Sequence, residues 1–346
     1  MPDAPFGRLA VIGLGMATKP HLEALAELRG RVEVSGVFNR SPEKAHAVAE
    51  TYGFPVFDSL EAIAVDPATD GVILATPPNA RAGIVAMMAD AKKAILMEKP
   101  VERTLAAAVD LVETCERAGV PLGIVFQHRF RPGARRLRAL LDEGALGSLA
   151  LIRVEVPWWR GQGYYDEPGR GTRARDGGGV LISQAIHVLD LMLSVTGPVA
   201  QVQAMCATTR LHEMETEDFV AAGLTFADGA FGSLVATTAT WPGAEESLVL
   251  DGTLGTAVLR GGRLDVAWRD GRKETVGEAG GSGSGADPMA FPCDWHRDLI
   301  EDFVRSVAEG RAPAITGREA LRVHALIDAL VRSGAEERSV AMEPMG

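Results

Sequence analysis

A glycine-rich turn directly after an apolar run constrains the fold of this 346-residue chain more than any other feature. Residues 8–12 have the pattern of a buried strand, Gly13-Leu14-Gly15 follows at once, and a helical pattern comes next. In dinucleotide-binding folds the first glycine makes the tight turn, the second lets the backbone approach a pyrophosphate, and a third allows close helix–strand packing. Thr18 stands in the third place. The turn therefore predicts a cofactor site that keeps its two phosphate-approaching glycines.

The order of strand and helix patterns predicts two domains. Apolar runs and helical patterns alternate up to about residue 127, which is typical of a doubly wound parallel sheet. Beyond that point the strands follow one another closely, with hairpin signals such as Ala227-Asp228-Gly229. We expect an α/β Rossmann domain over residues 1–127. Residues 128–346 should form an α+β domain with an open, mostly antiparallel sheet and C-terminal helices.

Composition limits the partners and the location of the chain. The net charge of −11 argues against nucleic acid and against an anionic membrane surface. The three cysteines are scattered without metal-ligand spacing, so we expect no metal site and free thiols in a reducing compartment. No apolar run approaches the roughly 20 residues of a membrane span. The start of the chain has no signal-peptide pattern, and a cytoplasmic protein is predicted.

The strongest single candidate for chemistry is Lys99. The apolar run 94–97 predicts a strand buried on both faces, and Glu98-Lys99-Pro100 ends it abruptly. In open α/β sheets ligands bind beyond the carboxyl ends of the strands, where Glu98 and Lys99 would project. The alternative is a surface lysine that caps a strand, and this stretch alone favours neither.

Two further strand ends should face the cofactor. The strand 32–38 ends at Asn39-Arg40-Ser41, where an NAD-specific site usually has an acid that binds the ribose hydroxyls. The missing acid and the added arginine slightly favour NADP, with Arg40 and Ser41 as phosphate contacts; Arg40 in solvent with Asn39 accepting either cofactor is the alternative. The strand 70–75 ends in Thr76-Pro77-Pro78-Asn79, which is either a cofactor-facing turn with Asn79 as a helix cap or a plain proline-rich turn.

In the second domain two segments interrupt the sheet. The loop 157–179 brings Trp158, Trp159, Tyr164 and Tyr165 together with arginines and glycines, which is typical of a functional loop. A helix over residues 180–195 follows, with Ser183 and His187 on one face. His187 is the predicted acid–base partner of Lys99, although a lone histidine on an apolar helix is more often a packed core residue. The glycine-rich stretch 278–287 predicts a flexible loop within this domain.

Taken together, these motifs resemble the Gfo/Idh/MocA family of NAD(P)-dependent oxidoreductases over nearly the whole chain. Each is common by itself, but their order and spacing are specific. They are Gly13-Leu14-Gly15 with His21, Thr76-Pro77-Pro78-Asn79, Glu98-Lys99-Pro100, Gln127-His128-Arg129-Phe130 with Pro132, Gly177-Gly178-Gly179 with His187 and Asp190, and Asp302-Phe303.

The resemblance implies hydride transfer between NAD(P) and a secondary-alcohol carbon of a sugar, a cyclitol or a sugar derivative, in a homodimer or homotetramer assembled through the second domain's sheet. Matched residue by residue, Lys99 is the catalytic lysine and His187 the catalytic histidine. The predicted cofactor contacts are Gly13, Gly15, Met16, Ala17, Asn39, Arg40, Ser41, Thr76, Pro77, Asn79, Glu98, Lys99 and Gln127. The predicted substrate contacts are Lys99, Arg129, Trp159, Arg160, Tyr164, Tyr165, Arg170, Ser183 and His187.

One departure from the family pattern bears on the mechanism. Relatives commonly have an aspartate four residues before the histidine, where Ser183 stands, and Ser183 cannot supply its charge. With an ordinary pKa near 6.5, His187 suits proton removal from the hydroxyl, while Lys99, near 10.4, would steady the alkoxide. A lowered lysine pKa would let these roles swap. Two other functions stay open: a cofactor-binding sensor or partner protein without turnover, and a reductase of an imine or another unsaturated substrate.

Overall fold

The computed structural model describes residues 7–278 and 292–343, and they form two compact units. The first unit contains residues 7–102, 106–125 and 292–320. The second contains residues 103–105, 126–278 and 321–343. The chain therefore returns to the first unit near its end, whereas the sequence suggests a single boundary at residue 127. Of the glycine-rich stretch 278–287, all but Glu278 lies outside the described residues.

The first unit contains a five-stranded parallel sheet with the strand order β2-β1-β3-β4-β5. Because every residue of β3 and β4 is buried, these strands need apolar side chains on both faces. The predicted doubly wound fold is confirmed. Outside these strands, Val56 forms an isolated parallel bridge to Val37. The strands are β1 (Gly7–Ile12), β2 (Val32–Phe38), β3 (Gly71–Leu74), β4 (Ala94–Met97) and β5 (Leu122–Ile124).

The second unit contains a nine-stranded sheet with the order β13-β12-β11-β10-β6-β9-β8-β7-β14. Only the central pair β6 and β9 is parallel, so the predicted mostly antiparallel sheet is confirmed. The strands are β6 (Leu149–Pro157), β7 (Val199–Ala207), β8 (Phe219–Phe226), β9 (Phe231–Thr237), β10 (Ser247–Gly252), β11 (Gly255–Arg260), β12 (Arg263–Trp268), β13 (Lys273–Val276) and β14 (Val340–Ala341).

The described helices cover the first sheet and one face of the second. None of them is long and apolar enough to cross a membrane. They are α1 (Lys19–Glu27), α2 (Pro42–Tyr52), α3 (Leu60–Val65), α4 (Ala82–Asp90), α5 (Leu105–Ala118), α6 (Pro132–Asp142), α7 (Gln162–Tyr165), α8 (Ile186–Thr196), α9 (Asp294–Glu309) and α10 (Gly317–Glu336).

Helix packing follows the apolar stripes of the sequence. In the first unit α9 packs on α1, β1 and β4 through buried residues such as Ile300 and Phe303. The start of α10 is a capping box: Thr316 N donates to Glu319 Oε2 at 3.1 Å, and Glu319 N donates to Thr316 Oγ1 at 3.2 Å. In the second unit α8 packs on β6. The opposite face of this sheet exposes large apolar residues, among them Leu151, Phe231, Val235 and Met205.

The order of the first sheet also locates a binding crevice. β1 lies between β2 and β3, so the chain crosses from one side of β1 to the other after leaving β2. In such sheets ligands bind beyond the carboxyl ends of the strands at this switch point. The segments that follow β1, β2 and β3 therefore define where a cofactor would lie.

Candidate active site

The structure explains why Gly13 is a glycine and leaves open space beside Gly15. Gly13 has a φ of +93°, and a Cβ on it would lie 2.9 Å from the Ala75 carbonyl atoms. A Cβ on Gly15 would meet nothing within 4 Å. Thr18 replaces the third glycine and donates a buried hydrogen bond from Oγ1 to Gly13 O at 2.9 Å. The turn is thus braced from inside and open on the side where a phosphate would approach.

A cavity of about 330 Å³ lies at the switch point. Lys44, in the first turn of α2, also lines it and was missed in the sequence, although it comes one helical turn after the predicted contact Arg40. Met16, Ala17 and Asn79 are exposed outside the lining, and the helix α4 begins at Ala82 without a cap from Asn79. The predicted contacts that line the cavity are Gly13, Gly15, Asn39, Arg40, Thr76 and Pro77.

At the end of β2 an asparagine replaces the usual acid. Asn39 Oδ1 accepts a hydrogen bond from Leu14 N at 3.1 Å, and its Nδ2 donates to Ser41 O at 3.2 Å. Asn39 therefore ties the end of β2 to the glycine turn. Ser41 Oγ donates to Glu43 Oε2 at 2.6 Å, and this bond lowers the pKa of the exposed Glu43 carboxyl.

A buried carboxylate lies beside Lys99 at the end of β4. Glu98 Oε1 accepts a hydrogen bond from His21 Nε2 at 2.7 Å, and Oε2 accepts one from Lys99 N at 3.1 Å. Burial by itself raises the pKa of Glu98, but the hydrogen bond and charge of His21, with the charge of Lys99, outweigh it and lower the pKa. Burial lowers the pKa of His296 to about 3, so this imidazole is neutral. The half-buried Lys99 thus has a fixed negative charge next to its backbone.

His21, Glu98 and His296 also have the chemistry of metal ligands. Their ligand atoms lie within 4.8 Å of one another. Among the residues that the structure describes, this is the one cluster of three side chains that could hold a metal ion. His21 Nε2 and Glu98 Oε1 are 2.7 Å apart, however, whereas two ligands of a tetrahedral zinc ion are separated by about 3.3 Å. A hydrogen-bonded pair accounts for this geometry without an ion.

In the second unit, His187 lies in the first turn of α8 and is 7% exposed. Its ring stacks on the His128 ring with centroids 4.8 Å apart and packs edge-on against Phe126 at 5.9 Å. The predicted regular helix is wrong at its start, because residues Leu181–Ala185, which include Ser183, form a π-helical turn. Such turns are frequent at functional sites, and this one directly precedes His187.

Buried ion pairs support the segment that carries His128. Arg131 Nη2 donates to His128 Nε2 at 2.7 Å, and Arg131 Nη1 donates to Glu246 Oε1 at 2.6 Å. Arg129 makes two hydrogen bonds of 2.7 Å to Asp190 on α8, so this predicted substrate contact is engaged in holding the helix. The predicted cofactor contact Gln127 is buried at the start of the same segment.

Two of the three glycines before the π-helical turn, Gly177 and Gly179, are required by close backbone contacts. A Cβ on Gly177, whose φ is +87°, would lie 2.6 Å from Arg103 backbone atoms, and a Cβ on Gly179 would lie 1.8 Å from Glu217 O. The Glu217 carboxylate accepts hydrogen bonds from Gly179 N at 3.1 Å and Leu181 N at 3.2 Å. Sequence reasoning missed Glu217, which satisfies free N–H groups at the start of the helix.

Part of the predicted substrate loop meets the π-helical turn. Arg170 lies over the Tyr164 ring at 4.4 Å and donates to its hydroxyl at 3.0 Å. Gln184, in the π-helical turn, donates to the same hydroxyl at 3.4 Å. The guanidinium of Arg160 lies 5.8 Å from the Tyr164 ring and is 4% exposed. Tyr164, Arg170 and Arg160 therefore form one polar cluster next to the helix of His187.

The other aromatic residues of the loop face elsewhere. Tyr165 is buried, and its hydroxyl is 2.6 Å from Thr238 Oγ1; burial raises its pKa. Trp159 packs edge-on against Trp241 at 5.3 Å. His212, buried against Asp218, holds the backbone of Arg160 through a 2.7 Å hydrogen bond to its carbonyl. Tyr165 thus anchors the loop from inside the unit.

Comparisons with known proteins decide the family. Residues 7–126 match the model of an oxidoreductase family with an NAD-binding Rossmann fold, and residues 134–258 match the GFO/IDH/MocA C-terminal domain. The chain belongs to the GFO/IDH/MocA family of oxidoreductases. Both halves of the resemblance seen in the sequence are thereby confirmed.

Named relatives of this family are similar over nearly the whole chain. D-apiose dehydrogenase of Paraburkholderia graminis is 26% identical over 97% of this chain and 90% of its own length. Inositol 2-dehydrogenase of Rhizobium meliloti is 23% identical over 97% of this chain and 99% of its own length. The WlbA dehydrogenase of Bordetella pertussis, solved with NADH and UDP-GlcNAcA, is 28% identical with a TM-score of 0.82, covering 98% of this chain and 99% of that one.

Proposed function

We propose that this GFO/IDH/MocA protein is a dehydrogenase that moves a hydride between NAD(P) and a secondary-alcohol or keto carbon of a sugar, a cyclitol or a sugar derivative. The observation that carries the proposal lies within the first unit. The cavity at the ends of β1, β2 and β3 and the side chain of Lys99 at the end of β4 belong to the same sheet edge. Ligands of open α/β sheets bind along that edge.

The substrate class rests on the relatives and on the loop cluster. D-apiose and inositol dehydrogenases act on polyhydroxylated molecules, as their names state. In this chain Tyr164, Arg170 and Gln184 offer a hydroxyl, guanidinium donors and an amide beside the helix of His187. Such groups suit a ring with several hydroxyls. We propose that they orient this ring through hydrogen bonds to its hydroxyls.

The mechanism assigns proton transfer to His187 and stabilisation of the developing negative charge to Lys99. When bound, a nicotinamide would supply the hydride acceptor in oxidation and the hydride donor in reduction. His187 Nδ1 is buried, so the hydroxyl proton of the substrate would go to Nε2. The ammonium of Lys99 would donate a hydrogen bond to the same oxygen and stabilise the developing alkoxide.

Cofactor choice is proposed to depend on charges at the end of β2. Arg40 and Lys44 line the cavity there, and both would attract a 2′-phosphate, while the carboxylate of Glu43 next to Ser41 would repel it. Two cations against one anion give the slight preference for NADP that we propose. Arg40→Ala should therefore raise the KM for NADP and leave the KM for NAD nearly unchanged.

The test follows nicotinamide absorbance with NAD and NADP separately, against aldoses, inositols, uronates and nucleotide sugars. Lys99→Met and His187→Asn are run beside the wild type. We expect each substitution to lower turnover at least about a hundredfold, which is the scale of lost acid–base catalysis. Tight cofactor binding without turnover on any substrate, or full activity of both variants, would contradict the proposed mechanism.

We propose that the exposed face of the second sheet joins copies of this chain in a homodimer or homotetramer. Leu151 is 50% exposed and Phe231 61% exposed on neighbouring strands, and isolated chains rarely expose such a patch. Light scattering should give a dimer or tetramer, and Phe231→Glu should shift it towards the monomer. A cytoplasmic location remains a prediction from the scattered cysteines.

A further inference from the structure

The side chain of Arg81 is buried beside the end of β4. It precedes α4, is 1% exposed and is among the largest fully buried side chains. A buried guanidinium is costly to desolvate. Burial outweighs the opposing charges of Glu98 and Glu102 and lowers the pKa of Arg81 to about 10. Arg81 is therefore charged at neutral pH, and its position needs an explanation.

Its hydrogen bonds join two strand ends. Arg81 Nε and Nη2 both donate to Thr76 O, at 3.0 Å and 2.7 Å. Nη1 donates to the carbonyl oxygens of Glu98 and Pro100, and to that of Val101 at 3.4 Å. One rigid guanidinium thus ties the turn after β3, which lines the cofactor cavity, to the segment after β4.

Lys99 lies between two of these acceptors. Its neighbours on either side, Glu98 and Pro100, are both bound through their carbonyl groups to Arg81. Its own N–H donates to the Glu98 carboxylate, which His21 holds in turn. The backbone of Lys99 is therefore fixed before and after the residue, although its side chain has four rotatable bonds.

We infer that Arg81 is a positioning residue, which fixes the backbone of Lys99 relative to the cofactor turn at Thr76. The inference rests on the proposed catalytic role of Lys99. A reacting group displaced by about 1 Å can lose on the order of a hundredfold in rate. Arg81 acts here through Lys99 and has no role of its own in proton or hydride transfer.

The same strand offers a matched control at its other end. Lys93 precedes β4, is 9% exposed, and donates from Nζ to Asp66 O at 2.7 Å and Thr69 O at 2.8 Å. Like Arg81, it is a buried cation that binds backbone carbonyls. It differs in lying at the amino end of the strand, away from the cavity and from Lys99.

The experiment compares Arg81→Lys with Lys93→Met, using kcat, the KM of the substrate, the Kd of NADH and the thermal midpoint. Lysine keeps the charge but loses the planar fork. We expect Arg81→Lys to lower kcat about 10- to 100-fold, with a smaller change in the KM of the substrate. Lys93→Met should lower the thermal midpoint while kcat stays within about twofold of wild type.

A double substitution separates positioning from general damage. If Arg81 acts through Lys99, adding Arg81→Lys to Lys99→Met should lower kcat little further, since the group being positioned is already absent. Full additivity of the two losses, or an Arg81→Lys kcat equal to that of Lys93→Met, overturns the inference. If Arg81→Lys does not fold, Arg81→Gln, which buries no charge, is measured in the same way.

The outcomes also distinguish this inference from the proposed function. If Lys99→Met is inactive while Arg81→Lys is unaffected, only the inference about Arg81 fails. If Lys99→Met retains full turnover, the proposed catalytic role fails, whatever Arg81→Lys does.

Discussion

Each unit has a fully buried arginine connected to a proposed catalytic residue, but the two arginines have different partners. Arg81 binds the residues on either side of Lys99, and Arg131 binds His128, whose ring stacks on His187. Arg81, in the first unit, donates to backbone carbonyls on both sides of Lys99. Arg131, in the second unit, donates to the side chains of His128 and Glu246. The first arrangement fixes the backbone around Lys99, and the second fixes the imidazole ring of His128.

The difference matches the chemistry of the residues served. A lysine has a long flexible side chain, so its placement depends on where its backbone is held. An imidazole has two nitrogens that can exchange roles, so its hydrogen-bonding state must be set. Because arginine only donates, His128 Nε2 must accept, and the ring that stacks on His187 is neutral with its proton on Nδ1. Similar buried cations thus serve two purposes.

The largest effect that would sharpen this comparison concerns the partner of Arg131. Glu246→Gln removes the carboxylate from a pair that is only 2% and 4% exposed, leaving a buried charge unbalanced. We expect a loss of about 3–5 kcal/mol in unfolding free energy, measured by urea denaturation. Glu98→Gln should cost less, because the Arg81 guanidinium donates to backbone carbonyl groups, which the substitution leaves in place.

Glu143→Gln is the control for that measurement. Its ion pair with Arg136 is 3.4 Å long, and the glutamate side chain is 58% exposed. The change should alter stability by no more than about 0.5 kcal/mol. If Glu98→Gln destabilises the protein as much as Glu246→Gln does, the distinction between a backbone clamp and a side-chain pair is wrong.

A second, smaller effect comes from His296, which lies against His21 and Glu98. Its pKa is lowered to about 3 by burial, so the folded protein keeps it neutral while the unfolded chain protonates it near 6.5. Unfolding therefore takes up a proton below that value, and acid destabilises the fold. At about 1.4 kcal/mol per unit, wild type should lose about 2–3 kcal/mol from this group between pH 6.5 and 4.5.

His296→Gln should be free of that loss, which the pH dependence of urea denaturation can measure. His46 is exposed on α2, so His46→Gln serves as the matched control and should keep the wild-type profile. An unchanged profile in His296→Gln would mean that the histidine is already charged in the folded protein.

Much of the fold could be predicted from the sequence, because short apolar runs and glycine-rich turns are local signals. The strand ends at Gly13, Asn39 and Lys99 follow from such runs. The buried partners could not be predicted in this way. Arg81 looks like an ordinary surface arginine, and its acceptors lie up to 20 residues away on another strand end. Glu246 is 115 residues from Arg131.

The π-helical turn shows the same limit from another side. Residues 180–195 have a regular apolar pattern, and nothing local signals the wider turn at Leu181–Ala185. It forms where Gly179 passes against the Glu217 backbone and where the Glu217 carboxylate binds two N–H groups. Both are contacts with a residue some 38 positions later in the chain. The π-helical turn therefore depends on the packing of distant segments, which cannot be predicted from local patterns in a single sequence.

The smallest expected effect compares two buried carboxylates, one in each unit. The pKa of Glu98 is lowered, since His21 and the nearby charges outweigh burial. The pKa of Glu217 is raised, since burial outweighs its backbone hydrogen bonds. Glu98 therefore stabilises the fold above pH 4.5 and loses this contribution as the pH falls through its lowered pKa. Glu217 has the opposite sign, and its contribution is lost as the pH rises through its raised pKa.

Glutamine variants of both residues should reveal these signs in thermal midpoints at pH 4 and pH 7. Relative to wild type, Glu98→Gln should be more destabilised at pH 7 than at pH 4, because the charged form is the one that His21 binds. Glu217→Gln should be more destabilised at pH 4 than at pH 7, because wild type then holds a neutral acid that burial favours. Opposite slopes would show that the first unit uses its buried carboxylate as a charge and the second as a cap for N–H groups. Parallel slopes would remove that difference between the two units.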